Sequence, residues 1–433
     1  MKIVLIDPKG LTLGLNSGLG YLASSLKNRG HIVNVIDFNN RPGNEKKRLA
    51  VIKDAQYVGI SIKSFTLEES IKLAKLTRKI NSKAIIIAGG PHITTDGYNF
   101  LNENDCFDLA VIGEGEKTIL DIANKKNYDK INNLIYRKED EIRVNSRDKW
   151  IKDLDTLSFP DYTCFDSKME AYPLVTSRGC PYQCTYCSIK DIMGYKWRAR
   201  KPEKIIEELK QTNKKHKINE FKILDDNFTL DTDRAKKFCK LLIKNNINMK
   251  WSCPNGIRAD RLDKELIELM KKAGCYSISI GIESLHPEVF KKINKGESLD
   301  DVKRAIKMIK LAGIKVEGFF IIGLPGSTYK KDKFAIKESK KLGLSAASWG
   351  ILVPYPGTKV WDWLNREIKR GNAKMLRNWK KGFHIGFFPK PVFETTQYKA
   401  REMLKAYYLA NINTMGWKII PNAFKLVLKR LEI

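Results

Sequence analysis

The stretch Ser-Arg-Gly-Cys-Pro-Tyr-Gln-Cys-Thr-Tyr-Cys occupies residues 177–187 and brings three cysteines close together. Cys180, Cys184 and Cys187 have the spacing C-x3-C-x2-C, and a mostly apolar run at 172–175, predicted to be a strand, leads into them. Three thiolates on one short loop can bind three irons of a [4Fe–4S] cluster and leave the fourth iron open to a substrate. A zinc site needs a fourth ligand, and no His or Cys lies nearby at a finger-like spacing.

The same motif, with Tyr186 as the aromatic residue before its last cysteine, resembles the cluster motif of the radical SAM superfamily. The resemblance implies that the open iron binds the amino and carboxylate groups of S-adenosylmethionine (SAM). It also implies that an electron delivered to the cluster cleaves the sulfonium and generates a 5′-deoxyadenosyl radical. The electron would come from a donor such as flavodoxin or ferredoxin.

Length and composition favour a folded, multidomain protein. The chain has 433 residues, of which 42% are hydrophobic, enough for two or three domains. No apolar run approaches the roughly 20 residues of a membrane-spanning helix. The first residues, Met-Lys-Ile-Val-Leu-Ile-Asp-Pro, resemble a strand rather than a signal peptide, so we expect a cytoplasmic protein. The odd cysteine cluster does not favour disulfides.

The net charge is strongly positive, at +30 from 79 basic and 49 acidic residues. Such a charge is compatible with nucleic acid, an anionic membrane surface or an anionic substrate. It is equally compatible with a lysine-rich composition that has no binding role. Because no RNA-binding or DNA-binding motif is present, nucleic acid is the least favoured partner.

Residues 1–135 alternate short β-branched runs with helical patterns. The predicted strands and helices lie at 2–6, 18–29, 32–37, 57–62, 68–80, 84–88 and 109–112. Strands separated by helices predict a doubly wound, Rossmann-like parallel sheet. Ligands of such sheets bind beyond the carboxyl ends of the strands.

The loops at those ends resemble the cobalamin-binding domain of class B radical SAM methyltransferases, above all in Gly-Gly-Pro-His at 89–92 and Gly-Glu-Gly-Glu at 113–116. The resemblance gives the following candidate cobalamin-binding residues: Lys9, Ser61, Gly89, Gly90, Pro91, Gly113, Glu114, Gly115 and Glu116. Better-known cobalamin proteins carry Asp-x-His-x-x-Gly after the first strand, where Lys9 and Thr12 replace the His and the Gly. A protonated lysine cannot ligate cobalt, so either cobalt has no His from this loop or the domain has lost the cofactor. His92 is expected to have no ligand role.

Residues 136–171 are interpreted as a linker with a hairpin near its start, and Cys164 within it is not expected to ligate the cluster. Residues 172–360 repeat strand and helix, which predicts a partial (β/α)₆ TIM-barrel domain of the radical SAM type. Residues 361–433 are predicted to be mainly helical, and the resemblance implies that this region helps to close the substrate pocket. A final helix with one apolar face, at 424–431, more often packs on the protein, but it also allows peripheral contact with an anionic membrane.

Candidate SAM-binding residues fall at the ends of the predicted barrel strands. The resemblance places Asp225, Asp226 and Asn227 at the motif that holds the SAM amino group. It further places Glu283 near the ribose and methionine, Arg258 near the carboxylate, and Tyr186, Gly323 and Pro325 near the adenine. A carboxylate facing an ammonium group gives a strong, charge-assisted hydrogen bond.

The sequence therefore predicts a cobalamin-dependent radical SAM enzyme that methylates an unactivated carbon of a small molecule or lipid. Its cofactors would be a [4Fe–4S] cluster, SAM and cobalamin. One alternative is an enzyme of the same architecture that catalyses cyclisation, carbon–carbon coupling or oxidation. A second alternative is a nucleic-acid-binding protein with a structural Fe–S cluster.

Overall fold

The structure is a computed structural model that describes residues 1–10, 14–139, 141–148, 150–382 and 389–415. The chain divides into two compact units. The first comprises Met1–Gly179 and Asp191–Phe221, and the second comprises Cys180–Lys190 and Lys222–Ile433. The domain boundaries expected from the sequence, at residues 135, 171 and 360, stay a prediction.

The strands are β1 (Lys2–Asp7), β2 (Ile32–Asp37), β3 (Tyr57–Ser61), β4 (Ile85–Gly89), β5 (Leu109–Val111), β6 (Leu134–Lys138), β7 (Glu141–Val144), β8 (Tyr172–Leu174), β9 (Ser177–Arg178), β10 (Arg198–Ala199), β11 (Glu220–Ile223), β12 (Lys250–Ile257), β13 (Cys275–Glu283), β14 (Lys315–Ile322), β15 (Ala346–Ile351), β16 (Ala373–Met375) and β17 (Phe393–Thr395). The α-helices are α1 (Ser17–Lys27), α2 (Glu45–Arg48), α3 (Leu67–Ile80), α4 (Pro91–Glu103), α5 (Glu116–Ala123), α6 (Ile189–Met193), α7 (Pro202–His216), α8 (Thr232–Lys244), α9 (Lys264–Lys272), α10 (Pro287–Lys292), α11 (Leu299–Leu311), α12 (Tyr329–Lys341), α13 (Lys359–Lys369) and α14 (Ala400–Met415). Short 3₁₀ helices lie at Leu49–Ile52, Ser64–Thr66, Tyr128–Lys130, Leu154–Thr156, Ala259–Arg261 and Trp379–Lys381.

The first unit is built on a seven-stranded sheet with the order β2-β1-β3-β4-β5-β6-β7. Strands β1 to β5 are parallel, and β6 and β7 form an antiparallel hairpin at the edge. The central strands are almost continuously apolar because helices cover such sheets on both faces. Helix α1 begins after Asn16, whose side chain accepts a hydrogen bond from the Leu19 amide at 3.2 Å. The predicted doubly wound sheet is confirmed.

Helix α4 was not predicted, because its sequence contains two threonines and a glycine that are poor helix formers. Pro91 occupies its first turn, where a missing N–H costs nothing. The helix also bends at Asp96, whose φ of −139° is not helical. Gly-Gly-Pro-His is thus a strand end that turns directly into a helix.

The second sheet has six strands in the order β15-β14-β13-β12-β11-β8. The neighbouring pairs from β12 to β15 are parallel. Amphipathic helices with buried apolar faces, such as α9 and α11, follow its strands. This confirms the predicted α/β architecture of the radical SAM type.

The C-terminal region, predicted to be mainly helical, contains helices α13 and α14. It also contains an antiparallel strand pair, β16 and β17, that was not predicted. The pair was missed because each strand has only three residues. The apolar-faced helix expected at 424–431 lies outside the described residues. No helix in the described part of the chain is both long and apolar enough to cross a membrane.

Candidate active site

The cysteine loop is held in a fixed shape at both ends. Gly179 precedes it with a φ of +84°, and a Cβ at this position would lie 2.5 Å from a backbone carbonyl oxygen. Within the second unit, the Cys187 amide donates to the Cys184 carbonyl at 3.2 Å, and the Thr185 amide donates to the Ile293 carbonyl at 2.9 Å. These bonds place the three cysteines on one closed loop.

The thiols of Cys180, Cys184 and Cys187 are partly buried and form no disulfide. Burial raises the pKa of all three, to about 11 for Cys184 and about 12 for Cys187. The charges of Cys184 and Cys180 raise the pKa of Cys187 further, so these sulfurs are close enough to act on one another. Thiolate is the form that ligates iron, and bound iron would take the place of the protons.

Two cations lie near this loop. The charges of Lys295 and Arg258 oppose the effect of burial on the pKa of Cys184. Among the described residues, no three His, Cys, Asp or Glu side chains stand close enough to hold a single metal ion. In a [4Fe–4S] cluster each thiolate binds a different iron. Three free thiols on one loop, with cations beside them, suit such a cluster.

The predicted SAM-binding stretch 225–227 lies beside the cysteines. Asn227 Nδ2 is 3.8 Å from Cys180 Sγ, and both Asn227 and Asp225 are buried. Burial is the main cause of the raised pKa values of Cys180 and Cys187, and the negative charge of Asp226 also raises them. The residues after β11 therefore bring the Asn227 amide and the Asp226 carboxylate close to the cysteine loop. Contact of this stretch with the SAM amino group stays a prediction.

Glu283 ends strand β13 with a φ of +65°, a strained conformation for a residue with a side chain. The Tyr186 hydroxyl donates to Glu283 Oε1 at 2.8 Å, and Lys295 Nζ lies 3.9 Å from the same oxygen. Burial raises the pKa of Glu283, while Lys295 and Tyr186 oppose that increase. The structure thus joins two predicted SAM residues, Tyr186 and Glu283, in one hydrogen bond. Their contacts with SAM are untested.

Arg258 lies at the end of β12, with its guanidinium stacked 3.5 Å from the centre of the Tyr182 ring. Its Nε and Nη2 donate to the two carboxylate oxygens of Asp260 at 2.9 and 3.1 Å. Nη1 donates to the Lys295 carbonyl. These contacts fix Arg258 beside the cysteine loop, and its predicted contact with the SAM carboxylate stays a prediction.

Gly323 and the buried Pro325 follow strand β14. The Gly323 amide donates to Asp332 Oδ2 at 3.1 Å, and the Tyr398 hydroxyl donates to the same oxygen at 2.9 Å. Burial raises the pKa of Asp332 to about 6. Gly323 and Tyr398 also line a polar cavity of about 290 Å³ in the second unit, with Trp363 on another wall. Adenine contact by Gly323 and Pro325 is untested.

In the first unit, the candidate cobalamin site begins at the ends of β1, β3 and β4. Asp7 is buried, and its Oδ2 has no hydrogen-bond partner in the described part of the chain. Gly90 has a φ of +100°, and a Cβ there would lie 2.9 Å from the Ile62 backbone. At Gly89, by contrast, a Cβ would meet no atom of the described residues within 4 Å, so the backbone borders open space there. An open glycine edge and an unpartnered buried oxygen suit a bound ligand such as cobalamin.

The acids of the Gly-Glu-Gly-Glu motif are engaged by arginines of the same unit. Arg178 binds Glu114 Oε1 at 2.8 Å and Glu116 Oε1 at 2.7 Å. Arg198 Nη1 binds both oxygens of Glu114 at 2.9 Å, and the Ile151 amide donates to Glu114 Oε2 at 2.7 Å. Both glutamates therefore have a structural role, and their predicted contact with cobalamin is untested.

The glycines of this motif and His92 have local roles. Gly113 has a φ of +72°, and its amide donates to Thr94 Oγ1 at 3.0 Å. Gly115 precedes helix α5 as its N-cap. His92 is buried and hydrogen-bonded through Nδ1 to Ser64 Oγ at 3.1 Å, and its expected lack of a ligand role stays a prediction.

Lys9 is exposed, whereas Lys63 reaches the buried Asp7 carboxylate, with Nζ 3.4 Å from Oδ1. Thr12, the other departure from the cobalamin motif, lies outside the described residues. Asn16 and Lys295 also contact candidate residues and were not predicted. No motif marks them, but both lie close in sequence to predicted loops or strand ends.

Two family models match the chain. The radical SAM superfamily model matches residues 174–357, and the B12-binding domain model matches residues 9–123. An uncharacterized methyltransferase of Pyrococcus horikoshii is 30% identical over 427 residues, covering 94% of this chain and 92% of that protein. The anaerobic magnesium-protoporphyrin IX monomethyl ester cyclase of Rubrivivax gelatinosus is 24% identical, covering 85% of this chain and 71% of that protein.

Among solved structures, the radical SAM methyltransferase TsrM from Kitasatospora setae, with cobalamin and a [4Fe–4S] cluster bound, has a TM-score of 0.78 and 16% identity. The match covers 98% of this chain and 91% of that one, and it shows a shared fold. The predicted enzyme class is confirmed, as are a [4Fe–4S] cluster, SAM and cobalamin as the cofactors of its two matched domains. The chain therefore belongs to the radical SAM superfamily, among the members that also carry a B12-binding domain.

Proposed function

We propose that this protein is a C-methyltransferase that methylates an unactivated carbon atom of a small molecule or lipid. The observation that carries the proposal is the presence of a closed three-cysteine loop in one unit and an open glycine edge on a doubly wound sheet in the other. When bound, the cluster with SAM supplies a carbon-based radical, and cobalamin supplies the methyl group. The Pyrococcus relative supports methyl transfer because it is described as a methyltransferase.

The residues of the chain would bind and orient these groups. Cys180, Cys184 and Cys187 would hold the cluster. Glu283, fixed by Tyr186 and Lys295, offers a buried acceptor for the hydroxyl or ammonium groups of SAM. Holding reactants in one geometry removes much of the entropic barrier of the reaction, which is the main contribution a protein makes to cofactor chemistry.

The substrate is proposed to be anionic, because the chain has a net charge of +30. We favour a lipid as the substrate class. In that case the protein would contact a membrane surface peripherally. An acidic electron carrier, such as a flavodoxin or ferredoxin, is the proposed source of the reducing electron.

The test is product analysis with SAM carrying a deuterated methyl group, using protein reconstituted with iron, sulfide and hydroxocobalamin. Candidate anionic lipids and small molecules would be supplied with a reducing system. The proposal predicts a product heavier by one deuterated methyl group, formed only when corrinoid is present. Formation of the labelled product without corrinoid would contradict it.

A second candidate is ring formation without methyl transfer, because the Rubrivivax relative is described as a cyclase. In that case the same assay would yield 5′-deoxyadenosine and an altered substrate with no deuterium. The label therefore separates the two reactions in one experiment.

A further inference from the structure

The carboxyl ends of β1 and β3 lie side by side where the strand order of the first sheet reverses. Strand β1 stands between β2 and β3, and Ile6 pairs with Ile60 across the β1–β3 boundary. Asp7 and Ser61 are the next residues on these strands, at the same edge of the sheet. Ligands of doubly wound sheets bind at this reversal point. These two residues therefore border the place where a corrinoid is expected.

Asp7 is 1% exposed, and within the described part of the chain only one of its two carboxylate oxygens is hydrogen-bonded. Asn16 Nδ2 donates to Oδ1 at 2.9 Å, and Lys63 Nζ lies 3.4 Å from the same atom. Among the described residues Oδ2 has no partner, although it is buried. Burying an unpaired carboxylate oxygen is costly, so this atom indicates a polar group or water that arrives with a ligand.

Lys63 is positioned by its backbone as well as by Asp7. Its amide donates to Thr66 Oγ1 at 3.0 Å, and its carbonyl accepts from the Thr66 amide at 2.9 Å. Its ammonium lies 6.0 Å from the centre of the Phe65 ring, and its side chain is only 19% exposed. Lys9, in contrast, is exposed. The fixed cation of this site is therefore Lys63.

Asn16 connects the strand ends. Its Nδ2 donates to Ser61 Oγ at 3.1 Å as well as to Asp7, while its Oδ1 caps helix α1. One side chain thus ties the end of β1, the end of β3 and the start of α1 together. The Asp7–Lys63 pair is consequently built into the sheet edge.

We propose that Lys63, held by Asp7, is the positive charge that the protein places near the bound corrinoid, and that it favours reduction of Co(II) to Co(I). The inference rests on the proposed function, since it requires a bound corrinoid. Reduction adds one electron and lowers the charge of cobalt by one unit. A nearby cation stabilises the reduced state more than the oxidised state, and a half-buried charge is less screened than an exposed one.

The test is a spectroelectrochemical titration of the Co(II)/Co(I) couple in the corrinoid-loaded full-length protein, where the electrode supplies the electron. Lys63→Met is expected to shift the midpoint potential to more negative values. Lys63→Arg, which keeps the charge, should stay close to the wild type. Lys72→Met, which removes an exposed charge from the same unit, should cause little change.

An unchanged potential in Lys63→Met, or an equal shift in Lys72→Met, would overturn the inference while leaving the proposed function intact. If Lys63→Met retains no corrinoid, retention by Lys63→Arg with the wild-type potential would support a charge that faces the cofactor, whereas loss in both would overturn it. A wild-type protein that binds no corrinoid would overturn the proposed function and the inference together.

Discussion

Acidic residues follow strands in both units of the molecule, but their surroundings differ. In the first unit, Glu114 and Glu116 are bound by two buried guanidinium groups. In the second, Glu283 accepts a hydrogen bond from Tyr186, a residue of the cysteine loop itself, and its pKa is raised by burial. A carboxylate at the end of a strand can therefore stabilise the fold or take part in the reaction, depending on the residues that contact it.

The largest effect is expected at the cysteine loop. Cys184→Ala should abolish formation of 5′-deoxyadenosine, because a cluster with only two protein ligands is not held. Iron content after anaerobic reconstitution and nucleoside analysis by liquid chromatography would measure it. Cys164→Ala, in the first unit, is the control and should retain iron. An equal loss of iron in both variants would contradict the assignment of the three ligands.

Arg178→Met tests the structural role of the acids in the first unit. It leaves Glu116 buried without the guanidinium that binds it, so we expect a loss of about 3 to 5 kcal/mol in the free energy of unfolding. Urea unfolding followed by fluorescence would measure the change. Lys138→Met breaks an exposed pair with Asp129 and should change the free energy of unfolding much less, because solvent screens exposed ion pairs. Similar costs for the two variants would argue against a structural network.

Glu283→Gln tests the chemical role of the acid in the second unit. Losing a charged acceptor should weaken SAM binding about 10- to 100-fold, because hydrogen bonds to charged groups contribute about 1.5 to 3 kcal/mol. Tyr186→Phe removes only the hydroxyl and should have a smaller effect. Equilibrium dialysis with radiolabelled SAM would measure both. Unchanged SAM affinity in Glu283→Gln would indicate that Glu283, like Glu114, has a structural role.

The smallest effects are expected at two adjacent glycines, Gly89 and Gly90, whose substitution by alanine should have different consequences. Gly90→Ala should lower the free energy of unfolding by about 1 to 3 kcal/mol, because its backbone conformation and the Ile62 backbone exclude a Cβ. Gly89→Ala should leave stability nearly unchanged, since a Cβ there meets no atom within 4 Å in the part of the chain that the structure describes. It should nevertheless reduce corrinoid retention if the open edge receives the cofactor. Equal destabilisation by the two substitutions would contradict this description of the edge.

Local patterns were sufficient to predict the parallel sheets and the cysteine loop. Strand β2 was predicted with the observed bounds because four of its six residues are isoleucine or valine. Helix α4 was missed because threonine and glycine weaken its helical pattern. The partners of Glu114, Arg178 and Arg198, are 64 and 84 residues away in sequence, so no local pattern could identify them. The same holds for Lys63, whose contact with Asp7 depends on the pairing of β1 and β3.

The most direct test of the central claim is the cofactor content of the anaerobically purified protein after reconstitution with iron, sulfide and hydroxocobalamin. Absorption spectra, iron analysis and extracted corrinoid would be measured on the same sample. We predict about four irons and about one corrinoid per chain. About four irons without any retained corrinoid would contradict the cobalamin-dependent function and identify the first unit as a domain that has lost its cofactor.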